Sequence, residues 1–139
     1  MIRVSPSIAS ANPLHLAEAV QFVEREGYED LHIDIEDGNF IPNITFGMKT
    51  IRALRAATEL PFSFHLMANR PDSYLDAILR MDPSIVFCNV EALQYPAEFL
   101  APIRNAGVRA GLALNPMTSV ENVAYLLERC DGLSVMTAE

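Results

Sequence analysis

The chain has 139 residues, half of them hydrophobic, with ten Lys and Arg against eighteen Asp and Glu and a formal net charge of -8. That length and apolar content suit one domain with a substantial core, and the acidic balance with scattered cations excludes the basic surface that a nucleic-acid backbone requires. No run approaches the roughly 18 apolar residues of a membrane span and no basic-then-apolar leader opens the chain, so neither a membrane nor a nucleic-acid partner is expected, and the expected location is cytoplasmic. Cys88 and Cys130 lie far apart without CxxC or Cys/His spacing and read as reduced, buried thiols.

In chain order, a first β-rich run covers Arg3–Ile8. A helix follows, with Asn12 as N-cap, Pro13 at its first position, Leu16, Ala19, Val20 and Val23 as its apolar stripe and Gly27 as its stop. Asp30–Ile35 is the second strand, and Met48, Ile51 and Leu54 mark a second helix. Phe62–Met67 is the third strand; Pro71 opens a third helix carrying Tyr74, Leu75, Ile78 and Leu79, which Asp82-Pro83 ends. Ile85–Val90 is a strand, a fourth helix runs from about Ala97 to Asn105 with Gly107 behind it, and Val108–Leu114 is the fifth strand. A capping box, Thr118-Ser119-Val120-Glu121, predicts a fifth helix that buries Val120, Val123, Ala124 and Leu127, before a last strand at Leu133–Thr137.

This β/α alternation with short connections predicts an α/β fold with a parallel sheet built from right-handed βαβ units. Two architectures share that pattern. A doubly wound sheet usually has a glycine-rich first turn, whereas Ser5-Pro6-Ser7-Ile8-Ala9-Ser10 follows the first strand and no glycine occurs before Gly27. In a (β/α)₈ TIM barrel the functional groups sit at the strand C-terminal ends, where Ser7, Asp34, His65 and Met136 fall. Eight strands normally take about 200 residues or more, and six are predicted here, which makes an incomplete barrel.

The run His32-Ile33-Asp34-Ile35-Glu36-Asp37-Gly38 and the later Phe64-His65-Leu66-Met67 carry the chemistry. Successive strand side chains point to opposite faces, so His32 and Asp34 project together while Leu31, Ile33 and Ile35 pack on the other side. His65, with Ser63 and Met67 on its own face, is presented from a neighbouring strand. Two imidazoles and a carboxylate that converge make a ligand set for a divalent transition metal; a satisfied polar pair in a core is the alternative.

The motifs Ser5-Pro6-Ser7-Ile8, His32-Ile33-Asp34, Asp37-Gly38-Asn39-Phe40-Ile41-Pro42-Asn43-Ile44-Thr45-Phe46-Gly47, His65-Leu66-Met67, Leu114-Asn115-Pro116 and Val135-Met136-Thr137 stand in an order that resembles the ribulose-phosphate 3-epimerase family. Its sister group, the allulose-6-phosphate 3-epimerases, shares them. The resemblance implies a (β/α)₈ barrel in the pentose phosphate pathway. It implies inversion of the hydroxyl-bearing carbon beside the ketone of a phosphorylated ketose, with one divalent metal ion (Zn, Fe, Mn or Co). It further implies that His32, Asp34 and His65 are metal ligands, that Asp34 is one of two catalytic acid/base carboxylates, that Ser7 and His65 contact substrate, and that Met67 and Met136 wall the reacting carbons.

Three departures stand out. Beyond the point matching Ala138-Glu139, the family continues into a glycine-rich loop, a seventh strand with the fourth ligand and second catalytic Asp, and an eighth strand. Residues 1–139 are therefore read as a single domain lacking the last two β/α units, whose open edges imply self-association into a homo-oligomer. Glu36 stands where the family typically has Met; it is an extra ligand, a nearby base, or a solvated loop carboxylate. Asn89 stands where members often carry His, and it retains hydrogen bonding without a titrating proton. His15 reads as a surface residue, Asp37-Gly38 as the turn that aims the following loop, and Asn43 as its support. The expected function is interconversion of D-ribulose 5-phosphate and D-xylulose 5-phosphate. The alternatives are the allulose-6-phosphate reaction and a catalytically silent truncated fragment or paralogue.

Overall fold

The computed structural model describes residues 2–138; Glu139, named above as the chain's last residue, lies outside them. Five strands, β1 (Leu31–Glu36), β2 (Phe62–Met67), β3 (Ile85–Asn89), β4 (Arg109–Leu114) and β5 (Gly132–Val135), pair in parallel in sequential order. Helix α1 (Leu16–Arg25) precedes β1, and α2 (Met48–Arg55), α3 (Asp72–Leu79), α4 (Pro96–Asn105) and the helical segment Val120–Arg129 provide the four crossovers. A right-handed crossover that always moves to the next strand in the same direction leaves every helix on the same face. The strand order never reverses, so the sheet is singly wound. This is the arrangement of the (β/α) barrel family, and it excludes the doubly wound alternative among the described residues.

Burial separates the two faces of the sheet. Along β1, Leu31, Ile33 and Ile35 are buried while His32, Asp34 and Glu36 are only half-buried. The buried set joins Phe62, Phe64 and Leu66 of β2, Val86 and Cys88 of β3, and Ala110, Leu112 and Leu114 of β4. Against them pack Val20 and Val23 of α1, Ile51 and Leu54 of α2, Leu75 and Ile78 of α3, and Leu100 and Ile103 of α4. The helices are amphipathic at the spacing that this face demands. The other face mixes the polar His32, Asp34, Glu36, Ser63, His65 and Asn89 with the apolar Met67, Ile85, Phe87 and Ala113. No helix among the described residues is long and apolar enough to cross a membrane.

Two predicted elements come out differently. Arg3–Ile8 is not a sixth strand: it touches β1 through one parallel bridge, Ser7 to His32, and one bond from the His32 N–H to the Pro6 carbonyl at 2.9 Å. Pro6 has no N–H to donate, and Ser7 ends the extended stretch by accepting the Ala9 N–H at its hydroxyl, which caps a 3₁₀ turn at Ile8–Ser10. The fifth helix, Val120–Arg129, is wound as 3₁₀ and not as α. At three residues per turn its buried contacts fall at Val123 and Leu126, while Val120 and Leu127 stay exposed. Its cap is the Ser119 hydroxyl accepting the Glu121 N–H, without the reciprocal arm of a capping box, and the Thr118 hydroxyl is turned to Glu91 instead. The first helix begins as predicted in chemistry: Asn12 accepts the Leu14 N–H and caps a 3₁₀ turn, Pro13–His15, that leads into α1.

Where β3 and β4 pair, Phe87 lies opposite Gly111. A Cβ built on Gly111 would overlap the Phe87 ring, so the glycine is required by close approach and not by backbone dihedral. Gly111→Ala is expected to lower stability by about 1–3 kcal/mol through this overpacking, read as a reduced urea midpoint at unchanged m-value.

Candidate functional site

The register of β1 on β2 assembles the polar face. His32 lies beside Ser63, Asp34 beside His65, and Glu36 beside Met67. His32 Nε2 approaches Asp34 Oδ1 at 3.2 Å and His65 Nδ1 approaches the same oxygen at 3.4 Å, with the imidazole centroids 6.2 Å apart. One donor atom from each of the three residues lies within 4.8 Å of the others. The remaining Asp34 oxygen, Oδ2, accepts the Ser7 hydroxyl at 2.5 Å.

The carboxyl of Asp34 is pulled in two directions. Burial raises its pKa, but hydrogen bonds to His32 and His65, the charge on His32 and the Ser7 hydroxyl outweigh that effect and hold it well below the ordinary carboxylate range. Asp34 therefore stays anionic. Its backbone is secured by Thr45, whose hydroxyl donates to the Asp34 carbonyl at 2.6 Å and accepts the Glu36 N–H at 3.1 Å. Thr45 serves on the edge of β1 that faces away from β2.

On the far side, His65 Nε2 meets Asn89 Oδ1 at 2.8 Å. The Asn89 amide nitrogen faces Asn115 Oδ1 at 2.8 Å, Met136 Sδ at 3.2 Å and the Glu91 carboxylate at 3.5 Å. A carboxylate only accepts, so the amide nitrogen belongs on that side and Oδ1 faces the histidine. A neutral His65 ring then carries its proton on Nε2 and turns the Nδ1 lone pair toward Asp34, whereas a ring with both nitrogens protonated donates to Asp34 through Nδ1. Lone pairs converging on a carboxylate oxygen repel unless a cation lies between them. This donor set fits a divalent metal held by His32, Asp34 and His65, and its imidazole and carboxylate chemistry suits Zn, Fe, Mn or Co alike.

The structure gathers His32, Asp34 and His65 on one face of β1 and β2, with His32 near the start of β1 and Asp34 and His65 further along. Ser7 reaches Asp34 from the preceding turn. Met67 ends β2 on the polar face, 4% exposed, and Met136 follows β5 with its sulfur against Asn89. Glu36 shares the face of Asp34 but stands apart from the ligand cluster, because its Oε2 accepts Asn43 Nδ2 at 2.6 Å. Burial and the nearby Asp34 charge raise the Glu36 carboxyl, with the Asn43 bond and His65 opposing. His15 pairs with Glu18 at 2.9 Å on the exposed side of the first helix, away from this cluster. Cys88 is buried, and burial together with the Asp72 and Glu91 charges pushes its thiol far up, so it is unreactive. Cys130 is a half-buried free thiol.

Sequence reasoning missed Asp30 and Ser63 beneath His32, and Thr45 beside β1. Their signal was faint: Asp30 and Ser63 share the strand parity of His32 and His65, but small polar residues at strand starts are common. Asp37 does more than turn the chain. Its Oδ1 accepts the Asn39 and Phe40 N–H groups at 2.8 and 2.9 Å, and its Oδ2 accepts the Asn69 N–H at 2.9 Å, so it ties the loop after β1 to the loop after β2. Gly38, at φ 73°, completes the turn by donating its N–H to the Asn43 carbonyl.

A singly wound parallel sheet whose inner face gathers two imidazoles and a carboxylate places the chain in the (β/α)-barrel class. The chain belongs to the ribulose-phosphate 3-epimerase family, whose sequence profile matches residues 3–139. It is 37% identical over 137 residues to a ribulose-phosphate 3-epimerase of Bacillus subtilis (strain 168), covering 99% of this chain and 63% of that protein. It is 35% identical to one of Rhodobacter capsulatus, covering 98% of this chain and 60% of the relative. A relative in Methanocaldococcus jannaschii is 33% identical over 100% of this chain and 58% of its own length. The chain thus spans about three fifths of the length of these curated relatives.

Slight burial raises the Asp37 carboxyl, but the three backbone N–H bonds and the Asn39 side chain outweigh it and lower the pKa from its ordinary value. A group depressed on folding contributes stability that is present above its unfolded pKa, about 3.9, and is lost as pH falls through the folded value. Asp37→Ala is therefore expected to lower the thermal midpoint at neutral pH. The gap from the parent should narrow steadily in scans below about pH 4.

Proposed function

We propose that this chain is the metal-binding portion of a metal-dependent 3-epimerase acting on a phosphorylated ketose, D-ribulose 5-phosphate to D-xylulose 5-phosphate. The observation that carries the reading is the approach of His32 Nε2 and His65 Nδ1 to one oxygen of Asp34 on the inner face of the sheet. The names of the relatives above favour the pentose phosphate over the hexose. A cytoplasmic setting goes with that metabolism.

When bound, a divalent cation supplies Lewis acidity at the ketone oxygen, which makes the adjacent C–H acidic enough for a carboxylate to remove its proton. Asp34 divides its two oxygens for that task. Oδ1 faces the histidines and serves ligation, while Oδ2 faces Ser7 and the open side and serves proton transfer. The Ser7 hydroxyl holds Oδ2 in place and can pass its hydrogen bond to a substrate oxygen. Met67 and Met136 offer polarizable apolar walls that keep water from the reacting carbons.

Inversion requires proton delivery from the face opposite the one deprotonated. Glu36 is unsuited to this role, since it rises from the strand that carries Asp34 and is held by Asn43. We assign the second acid/base group, and the phosphate grip, to parts of the protein outside residues 2–138.

Metal analysis and a coupled epimerase assay test the reading. One divalent ion per chain is expected in the parent protein, and His65→Ala should remove most of it. Asp34→Asn should lower kcat of the full protein by about 10²- to 10⁴-fold. Unchanged metal content in His65→Ala, or turnover insensitive to chelators, would contradict the proposal. Residues 1–139 by themselves are expected to bind metal without inverting substrate; stereospecific turnover at ordinary enzyme rates by that chain would refute the assignment of the second group elsewhere.

A further inference from the structure

Beneath the metal ligands lies a second polar cluster, at the N-terminal ends of β1 and β2. Asp30 precedes β1 with the strand parity of His32 and Asp34, and three hydroxyls converge on it. Ser63 donates to its Oδ1 at 2.6 Å, Ser84 donates to its Oδ2 at 2.9 Å, and Ser5 also donates to Oδ1. Ser63, 5% exposed, lies beside His32 in the strand register, and His32 Nδ1 is 2.9 Å from its oxygen.

A serine hydroxyl has one proton to give. Three atoms compete for that of Ser63: Asp30 Oδ1 at 2.6 Å, His32 Nδ1 at 2.9 Å and Ser5 Oγ at 3.2 Å. The carboxylate is the nearest and the strongest acceptor, and it cannot donate in return. The Ser63 proton therefore goes to Asp30, and the Ser63 oxygen must accept from His32. That requires the proton of neutral His32 to reside on Nδ1. Nε2, the atom facing Asp34 Oδ1 at 3.2 Å, is left with its lone pair exposed.

We propose that Asp30 and Ser63 form a hydroxyl relay that sets the tautomer and ring orientation of His32 for metal ligation. Ser63 is a positioning residue with Asp30 as its anchor. The arrangement complements the far side of the site, where Asn89 does the same for His65. Each imidazole is held by its outer nitrogen and presents the inner one. The relay rests on the metal-centre reading of His32, Asp34 and His65 given above, so it needs a test that can fail separately.

The test reads the histidine tautomers by long-range ¹H–¹⁵N correlation in the metal-free protein at mildly alkaline pH, and Zn²⁺ affinity by competition with a chromogenic chelator. The parent is expected to show His32 protonated on Nδ1. Asp30→Ala removes the acceptor of the Ser63 hydroxyl, which frees the serine proton for His32 Nδ1, so the His32 signal should change to the Nε2-protonated form and Zn²⁺ affinity should fall. Ser63→Ala should weaken Zn²⁺ by about 10- to 100-fold, and Ser63→Thr, which keeps the hydroxyl, should recover most of the loss. Ser84→Ala removes a different donor from the same carboxylate and should leave both the His32 tautomer and Zn²⁺ affinity close to the parent. Parental affinity in Ser63→Ala, or an unchanged His32 tautomer in Asp30→Ala, would overturn the relay. If the parent binds no Zn²⁺ at all, the metal reading fails, while the tautomer pattern across the variants still decides the relay.

Discussion

The in-register parallel pairing of β1 with β2 is the constraint on which the site depends. Placing Asp34 beside His65 and His32 beside Ser63 stacks Asp30, Ser63, His32, Asp34, His65 and Asn89 into one continuous polar seam up the inner face of the sheet. A slip of one residue would send every member of that seam from β2 to the opposite face. The apolar residues between them prevent such a slip. Ile33, Ile35, Phe64 and Leu66 must meet α1 through α4, and the cost of exposing them fixes the phase for the polar side as well.

The seam also explains how a strongly anionic carboxylate is tolerated in a partly enclosed place. Its neighbours are each held by a partner further out or fixed to Asp34 itself: Glu91 orients Asn89, Asn89 orients His65, Ser7 donates to the carboxylate and Thr45 to the Asp34 backbone carbonyl. Among the described residues no buried side-chain nitrogen or oxygen lacks a partner. Such fully satisfied networks are rigid, and rigidity is what a ligand set needs. Glu36 shows the same logic in reverse. It stands one step from the ligands on the correct face, yet Asn43 holds it out of the cluster.

Much of this was legible in the chain. Period-2 alternation in Leu31–Glu36 and Phe62–Met67 announced both the strands and the shared face of His32, Asp34 and His65, because strand geometry leaves no other arrangement. Helix stripes such as Leu16, Ala19, Val20 and Val23 announced the covering layer. Elements at the margin were less legible. Arg3–Ile8 has strand composition, but a proline without an N–H and a serine that caps a turn limit it to one bridge. Val120–Arg129 satisfies the helical period on paper, and only packing at Val123 and Leu126 selects the tighter winding.

The amino-acid sequence by itself determined the class of fold, the family and the identity of the three converging side chains, since these follow from periodicity and from residue types in order. Tertiary structure alone decided which nitrogen each histidine turns toward Asp34, which oxygen of Asp34 meets Ser7, and that Asp30 and Ser63 join the same hydrogen-bonded seam. The reason is physical: tautomer and orientation are set by hydrogen-bond partners 31 residues away for His32, at Ser63, and 24 away for His65, at Asn89, and no local pattern records those meetings.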